Sequence, residues 1–492
     1  MATPPGLSTF RDPAFSLWQS AIHSTLKNHP VHSKSLPAGS GAGIAATADH
    51  HYMLAAVGAM EEIQAQHSDP PRVAVAPMSL GTMSECAKLA SQIAWAELFD
   101  RTKVAGLKSQ FNFGRCDLFW SECIAVYEAF LASRTAQPYR VHANINDFVL
   151  PCLPDTGKIA IVGDWGTGMS DAAALLQQIA TYFQPQVLIH LGDVYYAGLP
   201  AEDESHFVSV IDQVWPQNPP LVFTLDGNHD RYAGDACGYY DMIAKLNRSV
   251  NLPQPNSYFG LRNNFWQFLA MDTGYHDTDP FTVSSNLTYL EQTEIDWHLD
   301  KIRNHAAGVD LSVNPRGARG TVVLSHHQLF SAIGVGANNA GDLLAINPKL
   351  AEALAPVFPS IACWLWGHEH DLCIYQPYSM GFDQPLPIGR CIGASAVPVY
   401  TSQKLPVPKL VTPPSEPGPP QLIPNTRLGA NNGIFNHAYA IMTLQNADLA
   451  IDYYQIDSAA TPASVPAPIA IPHRDELTIP AITRAAGQTR VL

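Results

Sequence analysis

The later part of the chain alternates short apolar runs with amphipathic stretches, and this alternation constrains the fold more than any other feature. The apolar runs, rich in β-branched residues, lie at 159–162, 187–191, 221–225, 265–271, 321–324 and 361–366. Several are separated by stretches with helical spacing, such as 170–183 and 289–306. Strands that alternate with helices form βαβ units, and a continuously apolar strand is buried on both faces. The sequence therefore predicts a layered α/β fold.

The 492 residues divide by composition into three regions. Residues 1–150 are predicted to form a mainly helical N-terminal domain of unknown role, because they contain long proline-free stretches with helical spacing. Residues 157–457 are predicted to form the α/β domain, which ends in a returning hairpin at 437–456. A proline-rich segment at about 404–428 is predicted to be an extended loop, with a protein-binding motif as the alternative. Residues 458–492, rich in proline and alanine, are expected to form a peripheral tail.

Charge, cysteine usage and hydropathy argue against several classes of protein. The net charge of −15 disfavours nonspecific binding to nucleic acid, which needs a basic excess to displace counterions from phosphates. The eight cysteines form no CxxC pair, so we expect reduced core thiols rather than a disulfide framework. The N-terminal residues lack the basic and apolar segments of a secretory signal, and no apolar run has the length of a membrane span. We therefore expect a cytoplasmic protein without a membrane partner.

Five of the predicted strands are followed by residues that bind metals. The side chains in question are Asp164, Asp193, Asn228, His229, His326, His327, His368 and His370. In α/β sheets the loops beyond the carboxyl ends of the strands converge, and ligands bind there. A single Gly-Asp or His-Xaa-His after a strand is usually a turn or an exposed pair, whereas five in series indicate one shared site. Carboxylate, amide and imidazole groups together predict a site for two metal ions and a phosphate.

The order of these motifs resembles that of a known superfamily. GDWG, GDVYY, GNHD, SHHQ and GHEH are similar to the motifs of the calcineurin-like metallophosphoesterases. Within that superfamily they look most like the purple acid phosphatases, in particular the small tartrate-resistant type. The resemblance spans about 158–457 and implies a layered β-sandwich flanked by helices, whereas the helical N-terminal region has no counterpart in it.

The tyrosine near the second motif distinguishes the branches of this superfamily. Most members have a histidine ligand two residues after the first aspartate, where this chain has Gly166. Purple acid phosphatases instead have a tyrosine three residues after the second aspartate, and Tyr196 matches that position. A phenolate suits ferric iron better than a soft divalent ion. Adjacent side chains of an extended segment point to opposite faces, so Tyr195 is expected to face away.

The resemblance implies a complete set of ligands for two metal ions. It implies Fe(III) held by Asp164, Tyr196 and His370. It implies Fe(II), Zn or Mn held by Asn228, His326 and His368, with Asp193 bridging the two ions.

Other residues near these motifs have open roles. His229 is the candidate proton donor, and Asp230 either orients its ring or caps the following turn. His327 is expected to point away from the site as a structural residue. Substrate contact and ordinary packing are both considered for Tyr275, His276 and His437.

The predicted reaction is hydrolysis of phosphate monoesters. A metal-bound hydroxide would attack phosphorus in line with the leaving group, and His229 would donate the proton. The alternatives are a phosphodiesterase or nucleotide phosphohydrolase on the same metal core, and a non-catalytic binding protein that retains the fold. The predicted partner is a small-molecule phosphate ester, without nucleic acid, and the N-terminal region is a possible surface for homo-oligomers.

Overall fold

The computed structural model describes most of the chain from residue 139 onwards. The described residues are 139–168, 170–195, 198, 200–232, 236–278, 286–338, 340–397, 399, 401, 409–413, 418–431 and 434–479. The predicted helical stretches of the N-terminal region lie outside these residues. So does part of the proline-rich segment.

Fifteen strands form two large sheets and one small ribbon within this part of the chain. The strands are β1 (Val149–Leu150), β2 (Thr156–Val162), β3 (Val187–His190), β4 (Leu221–Thr224), β5 (Phe259–Arg262), β6 (Trp266–Ala270), β7 (Gly320–Ser325), β8 (Ile361–Trp366), β9 (Leu372–Ile374), β10 (Gly389–Ile392), β11 (Ala430–Asn431), β12 (Ile434–Phe435), β13 (His437–Gln445), β14 (Asp448–Ile456) and β15 (Ile469–Thr478). One sheet has the order β1-β5-β6-β7-β8-β10-β9, and the other has the order β15-β14-β13-β2-β3-β4. The small ribbon is β11-β12.

Each large sheet has a parallel block bordered by antiparallel strands. β2, β3 and β4 are parallel to one another, as are β6, β7, β8 and β10. The β13–β14 hairpin returns antiparallel against β2 and so completes its sheet. This confirms the hairpin predicted at 437–456, because nine residue pairs hold its register from His437↔Ile456 to Gln445↔Asp448.

Among the described residues, six short helices cover the outer faces of the sheets. They are α1 (Ser170–Tyr182), α2 (Pro200–Glu202), α3 (Ser209–Val214), α4 (Cys237–Ile243), α5 (Gln292–Arg303) and α6 (Pro348–Leu354). A π-helical turn (Asp203–Val208) joins α2 to α3, and 3-10 turns lie at His229–Arg231, Arg248–Val250 and Ala355–Ser360. In the described part of the chain, none of these helices is long and apolar enough to cross a membrane.

The helices form where apolar residues recur at helical spacing. In α1 the buried residues Ala172, Leu175, Leu176 and Ile179 lie at positions i, i+3, i+4 and i+7, which places them on one face. That face packs on the sheet that contains β2. α6 begins after Asn347, whose side chain accepts hydrogen bonds from two backbone amides of the first turn and thereby caps the helix.

Three apolar layers hold the domain together. The middle layer lies between the two sheets and contains inward-facing residues of both. A second layer lies between α1, α3, α4 and the sheet with β2, and a third between α5, α6 and the sheet with β7. The architecture is therefore helix, sheet, sheet, helix, which confirms the predicted α/β sandwich flanked by helices. The parallel strands are buried on both faces, as their apolar sequences indicated.

Two edges of the sandwich lie outside the boundaries that composition suggested. β1 lies within the predicted N-terminal domain, yet it pairs with β5 of the seven-stranded sheet. β15 lies within the predicted tail, yet it pairs with β14 over most of its length. Most side chains of this edge strand are exposed or half-buried, and its four consecutive polar residues, His473 to Glu476, interrupt the apolar run that would indicate an inner strand.

A buried ion pair fastens β15 to the opposite sheet. Arg390 of β10 donates to both carboxylate oxygens of Asp475 of β15, at 2.7 Å and 2.9 Å. Tyr453 of β14 donates to the same carboxylate at 2.6 Å. This contact explains why the segment that was expected to be peripheral is part of the core structure.

Candidate metal centre

The loops that follow five parallel strands meet at one end of the sandwich. Asp164 follows β2, Asp193 follows β3, and Asn228 follows β4 in one sheet, while His326 follows β7 and His368 follows β8 in the other. Because the two parallel blocks point the same way, their carboxyl ends converge, as the strand-end pattern predicted. Of the seven predicted metal ligands, Tyr196 lies outside the described residues. The other six are all brought together.

Three side chains from both sheets form one compact group. The Oδ1 atom of Asn228 lies 3.0 Å from Nε2 of His326 and 2.9 Å from Nδ1 of His368. The two imidazole nitrogens are themselves 3.2 Å apart. Oδ1 of Asp193 lies 3.3 Å from Nε2 of His326 on the adjoining side. All four atoms are of types that bind metal ions.

Neighbouring groups hold two members of this group in place. Nδ1 of His326 lies 2.9 Å from the carbonyl oxygen of Leu191, which can only accept, so this nitrogen donates and Nε2 is the atom turned toward Asn228 and His368. The amide nitrogen of Asn228 donates to the hydroxyl of Tyr232, which turns its oxygen toward the histidines. An amide oxygen, two imidazole nitrogens and a neighbouring carboxylate at these distances are a donor set that suits a divalent cation. The residues present therefore fit a metal ion.

The charges of the site lead to the same conclusion. Burial opposes a positive charge on His326, but the carboxylates of Asp193 and Asp164 outweigh it and raise the pKa of His326 to about 10. Burial lowers the pKa of His370 to about 4 and that of His368 well below its ordinary value. The site thus attracts positive charge at His326, while the imidazoles of His368 and His370 stay neutral.

A second group contains a tyrosine, and it is not the one that the sequence indicated. The hydroxyl of Tyr195 donates to Oδ1 of Asp164 at 3.0 Å and lies 2.9 Å from Nε2 of His370. His370 lies 3.6 Å from the same Asp164 oxygen. The expectation that Tyr195 faces away is therefore wrong: it occupies the place that the resemblance implied for Tyr196, whose own position lies outside the described residues.

A backbone contact explains why Tyr195 faces this group. Val194 forms an isolated parallel bridge with Gly166, and the amide of Tyr195 donates to the carbonyl of Gly166 at 2.8 Å. The segment after β3 thereby extends the sheet beside the segment after β2. Side chains alternate along such an extension, and this register turns Tyr195 inward.

Asp193 lies between the two groups. A ligand atom of Asp193 is within 4.8 Å of ligand atoms of both Asp164 and His326. Burial raises the pKa of Asp193, but the nearby imidazoles of His326 and His229 outweigh it and hold this pKa well below its ordinary value. An ionised carboxylate in this position has the geometry expected of a bridge between two cations.

Glycine and backbone strain make room for so many polar side chains. Gly192 has a φ of +100°, and a Cβ there would lie 2.6 Å from Nδ1 of His326. Three of the candidate ligands also have left-handed backbone, with φ of 54° at Asp164, 70° at Asp193 and 65° at His368. Such conformations cost on the order of 1–3 kcal/mol each and cluster at functional sites. The strain is consistent with a site whose geometry is selected for ligand binding.

His229, the candidate proton donor, lies at the mouth of the site. Its ring is 4.6 Å from the ring of Tyr195 and 4.7 Å from that of Tyr232, measured between centroids. Its backbone amide donates to Oδ1 of Asp193 at 3.0 Å. The side chain is half-buried. The two tyrosines therefore hold the ring beside the metal groups.

The carboxylate of Asp230, predicted as a catalytic residue, binds backbone amides of two loops. Its carboxylate accepts from the amides of Gly227 at 2.8 Å, Asp193 at 3.0 Å and Val194 at 3.2 Å. These bonds join the loop after β4 to the loop after β3. These three bonds correspond to neither role considered for Asp230, orienting the His229 ring or capping the following turn; they position the two loops.

His327 lies nearer the site than expected, and three more distant candidates contact other residues. The ring of His327 lies 4.4 Å from that of His368, so the expectation that it points away from the site is wrong. His276 pairs with Glu291 at 2.8 Å, and His437 with Asp171 at 3.1 Å. The ring of Tyr275 lies against those of Tyr139 and His276. For the last three residues the structure shows packing contacts.

One supporting network was not identified from the sequence. Arg231, next to the His229 turn, donates to carboxylates of Asp226 and Asp272 and is nearly fully buried. Asp272 lies two residues after the end of β6, in the same arrangement of apolar strand and polar residue as the five recognised motifs. The signal was therefore present in the run that ends at Met271-Asp272-Thr273-Gly274.

Comparisons with known proteins give one family and several remote structural likenesses. The profile of the calcineurin-like phosphoesterase family matches residues 157–372. No curated protein sequence matches the chain. Among solved structures, a purple acid phosphatase from yellow lupin (Lupinus luteus) seeds has 14% identity and a TM-score of 0.41, over 66% of this chain and 55% of that chain. This chain thus spans about half the length of the lupin protein.

Two further solved structures show a weaker likeness. Vps29 from Chaetomium thermophilum has 10% identity and a TM-score of 0.26, over 66% of this chain and 100% of that chain. The phosphopantetheinyl hydrolase of Mycobacterium tuberculosis has 12% identity and a TM-score of 0.27, over 54% of this chain and 98% of that chain. The likeness to phosphoesterases rests on the family profile and not on these solved structures.

The family match covers the part of the chain that carries the site. It includes all five strand-end motifs, from Asp164 to His370. The paired sheets, the converging strand ends and the acceptor-rich site agree with the profile match. Residues 157–372 of this chain are similar in sequence to the calcineurin-like phosphoesterase family.

Proposed function

We propose that this protein hydrolyses phosphate monoesters with the help of two metal ions, as a phosphatase of purple acid type. One observation carries the proposal. Oδ1 of Asn228, Nε2 of His326 and Nδ1 of His368 converge within 3.2 Å of one another, and atoms of these kinds bind metal ions. Such an arrangement is stable with a cation among them. The family that the domain resembles in sequence provides the phosphoester substrate class.

The residues divide into two sets of ligands. Asn228, His326 and His368 would hold one ion, of the Fe(II), Zn or Mn type that imidazole and amide ligands suit. Asp164, Tyr195 and His370 would hold the other. Tyr195 replaces Tyr196 in this set, because its hydroxyl already contacts both partners. Its hard phenolate oxygen favours Fe(III).

Asp193 would bridge the two ions, since it reaches both groups. When bound, the two cations would neutralise phosphate oxygens and lower the pKa of a coordinated water to about 7.

His229 is the residue placed to deliver a proton. The rings of Tyr195 and Tyr232 fix its imidazole at the mouth of the site, where the leaving oxygen of a bound ester would lie. Proton donation by a positioned histidine contributes about 10²–10⁴-fold to rate. Asp230 maintains this geometry by binding the backbone amides of Asp193 and Gly227. The scheme needs no covalent nucleophile from the protein.

The test compares substrates, metals and one matched pair of variants. Purified full-length protein is analysed for metal content and assayed with p-nitrophenyl phosphate and bis-p-nitrophenyl phosphate. We expect two metal ions per chain and hydrolysis of the monoester. Asp193→Asn should abolish activity and reduce bound metal, whereas Asp241→Asn, the same change at an exposed helix residue, should do neither.

Three results would revise the proposal. Hydrolysis of the diester alone would make the protein a phosphodiesterase. A metal-replete protein that hydrolyses no phosphate ester would make it a binding protein with the same fold. An active, metal-replete Asp193→Asn variant would contradict the bridging role.

A further inference from the structure

The loop that follows β6 contains no proposed metal ligand, but it forms hydrogen bonds to His327. His327 adjoins the ligand His326, and three of its atoms contact this loop. Its backbone amide donates to Oγ1 of Thr273 at 3.0 Å, and its Nδ1 lies 3.0 Å from the same oxygen. Its Nε2 lies 3.0 Å from Oδ2 of Asp277. The loop therefore fixes both the backbone and the ring of His327.

The ring of His327 in turn lies against a proposed ligand. Its centroid is 4.4 Å from that of His368, with 37° between the planes. The ring of His326 lies 4.9 Å away and nearly perpendicular. A flat group in van der Waals contact restricts rotation of the His368 ring. That rotation decides whether Nδ1 of His368 points at the oxygen of Asn228.

The contacts of His327 argue against a direct role in metal binding, although its ring nitrogens lie within reach of those of its neighbours. A neutral imidazole has one N–H and one lone pair. Here one nitrogen is engaged by Thr273 and the other by Asp277. Coordination would require one of these bonds to break. His327 is therefore placed to position the ring of His368 by contact and not to coordinate the metal ion.

Asp277 is itself held firmly from the far side. Its Oδ1 accepts from Nδ2 of Asn286 at 2.9 Å, and the same nitrogen donates to the carbonyl of His276 at 2.7 Å. The side chain is 2% exposed. The carboxylate thus connects a fixed loop to His327 and is not a free surface group.

We infer that Asp277 and His327 form a positioning pair that fixes the ring of His368 and thereby sets the affinity of the Asn228/His326/His368 site for its metal ion. The inference rests on the metal assignment of the proposed function, but it concerns residues that bind neither metal nor substrate. Outer partners of metal-binding histidines typically change metal affinity or activity about 10–100-fold when mutated. A pair that acts one step further out, through ring contact, should fall near the lower end of that range.

The experiment measures metal retention in the purified full-length protein. Zinc-loaded protein is transferred to a chelating indicator, and the rate and equilibrium of metal loss are recorded. Asp277→Ala should weaken binding of one of the two ions about tenfold and leave the other unchanged. Asp277→Asn should restore retention to within a few-fold of wild type, because the amide keeps an acceptor for Asn286 and still hydrogen-bonds His327.

Glu291→Ala is the matched control on the same loop region. Glu291 pairs with His276 as Asp277 pairs with His327, but His276 stacks on Tyr289 and not on a ligand. We expect this variant to retain both ions like wild type. His327→Phe, which keeps a flat ring and loses both hydrogen bonds, should weaken one ion to an extent similar to Asp277→Ala. Thermal melting of each variant identifies any effect of general destabilisation.

The outcomes separate this inference from the proposed function. Unchanged metal retention in Asp277→Ala overturns the positioning role, as does equal loss in Glu291→Ala. If Asp277→Asn fails to restore metal retention, the loss in Asp277→Ala is due to the missing charge and not to lost positioning. If His327→Phe loses one ion completely, His327 is a ligand. Metal-loaded wild type without esterase activity refutes the proposed function alone. Wild type that binds no metal refutes both.

Discussion

The ion pair between Arg390 and Asp475 gives a direct test of how the two sheets are joined. Both side chains are nearly buried, with 2% and 8% of their area exposed. Asp475→Ala removes two contacts to the guanidinium and one to Tyr453, and leaves the Arg390 charge without its counterion. Breaking a buried pair from one side typically costs about 3–5 kcal/mol.

The remaining contacts of Arg390 place the expected value within that range. Its Nη1 still donates to the carbonyls of Tyr375 at 2.6 Å and Gly389 at 2.7 Å, so part of the charge stays solvated by the backbone. We therefore expect a loss of about 3 kcal/mol, at the lower limit for such pairs.

The assay is denaturant unfolding of the full-length protein, followed by tryptophan fluorescence. Trp364 and Trp366 are buried on β8 beside β10 and report on this part of the core. The control is Arg474→Ala on the same strand, whose side chain is 50% exposed and pairs with Asp452. Exposed pairs contribute about 0–1 kcal/mol, so a small shift is expected. If Asp475→Ala costs no more than Arg474→Ala, β15 does not join the sheets.

Three further predictions follow from the same contacts. Burial opposes the ionised form of Asp475, but the hydrogen bonds from Arg390 outweigh burial and lower the pKa of Asp475. The stability that the ionised carboxylate contributes should therefore be complete above the ordinary pKa of about 3.9 and be lost as the pH falls below it. In unfolding curves recorded at acid pH, the difference in free energy of unfolding between wild type and Asp475→Asn should shrink. Tyr195→Phe should abolish a visible phenolate–iron absorption band that Tyr196→Phe leaves in place; the reverse pattern would restore the sequence-based assignment. Gly192→Ala should destabilise the protein by more than the strain of left-handed backbone, about 1–2 kcal/mol, and should reduce bound metal, because the new Cβ would lie 2.6 Å from His326. Gly308 also has a positive φ but has open space around it, so Gly308→Ala should show the strain alone. Thermal melts and metal analysis measure the two effects.

The strands and the general location of the site could be predicted from the sequence because their signals are local. An apolar run between turn residues indicates a buried strand regardless of what it pairs with, and a polar residue directly after it lies at the strand end. This is why Asp164, Asp193, Asn228, His326 and His368 were all identified. Their convergence followed from one general property of parallel sheets.

The direction of individual side chains could not be predicted in the same way. Alternation along an extended segment gives two registers, and the inward direction of Tyr195 depends on the bridge between Val194 and Gly166. The same holds for His327, whose ring is turned toward His368 by Asp277, 50 residues away in sequence. These contacts have no local sequence signal.

The sequence by itself determined the α/β class, the strand ends and the kinds of ligand available to a two-metal site, because spacing and residue chemistry are properties of short segments. Only the tertiary structure decided which tyrosine faces Asp164, what Asp230 and His327 hold in place, and that β15 belongs to the core. Each of these depends on atoms that are far apart in the chain and adjacent in space. Pairing of that kind is set by the packing of the two sheets, which no single segment encodes.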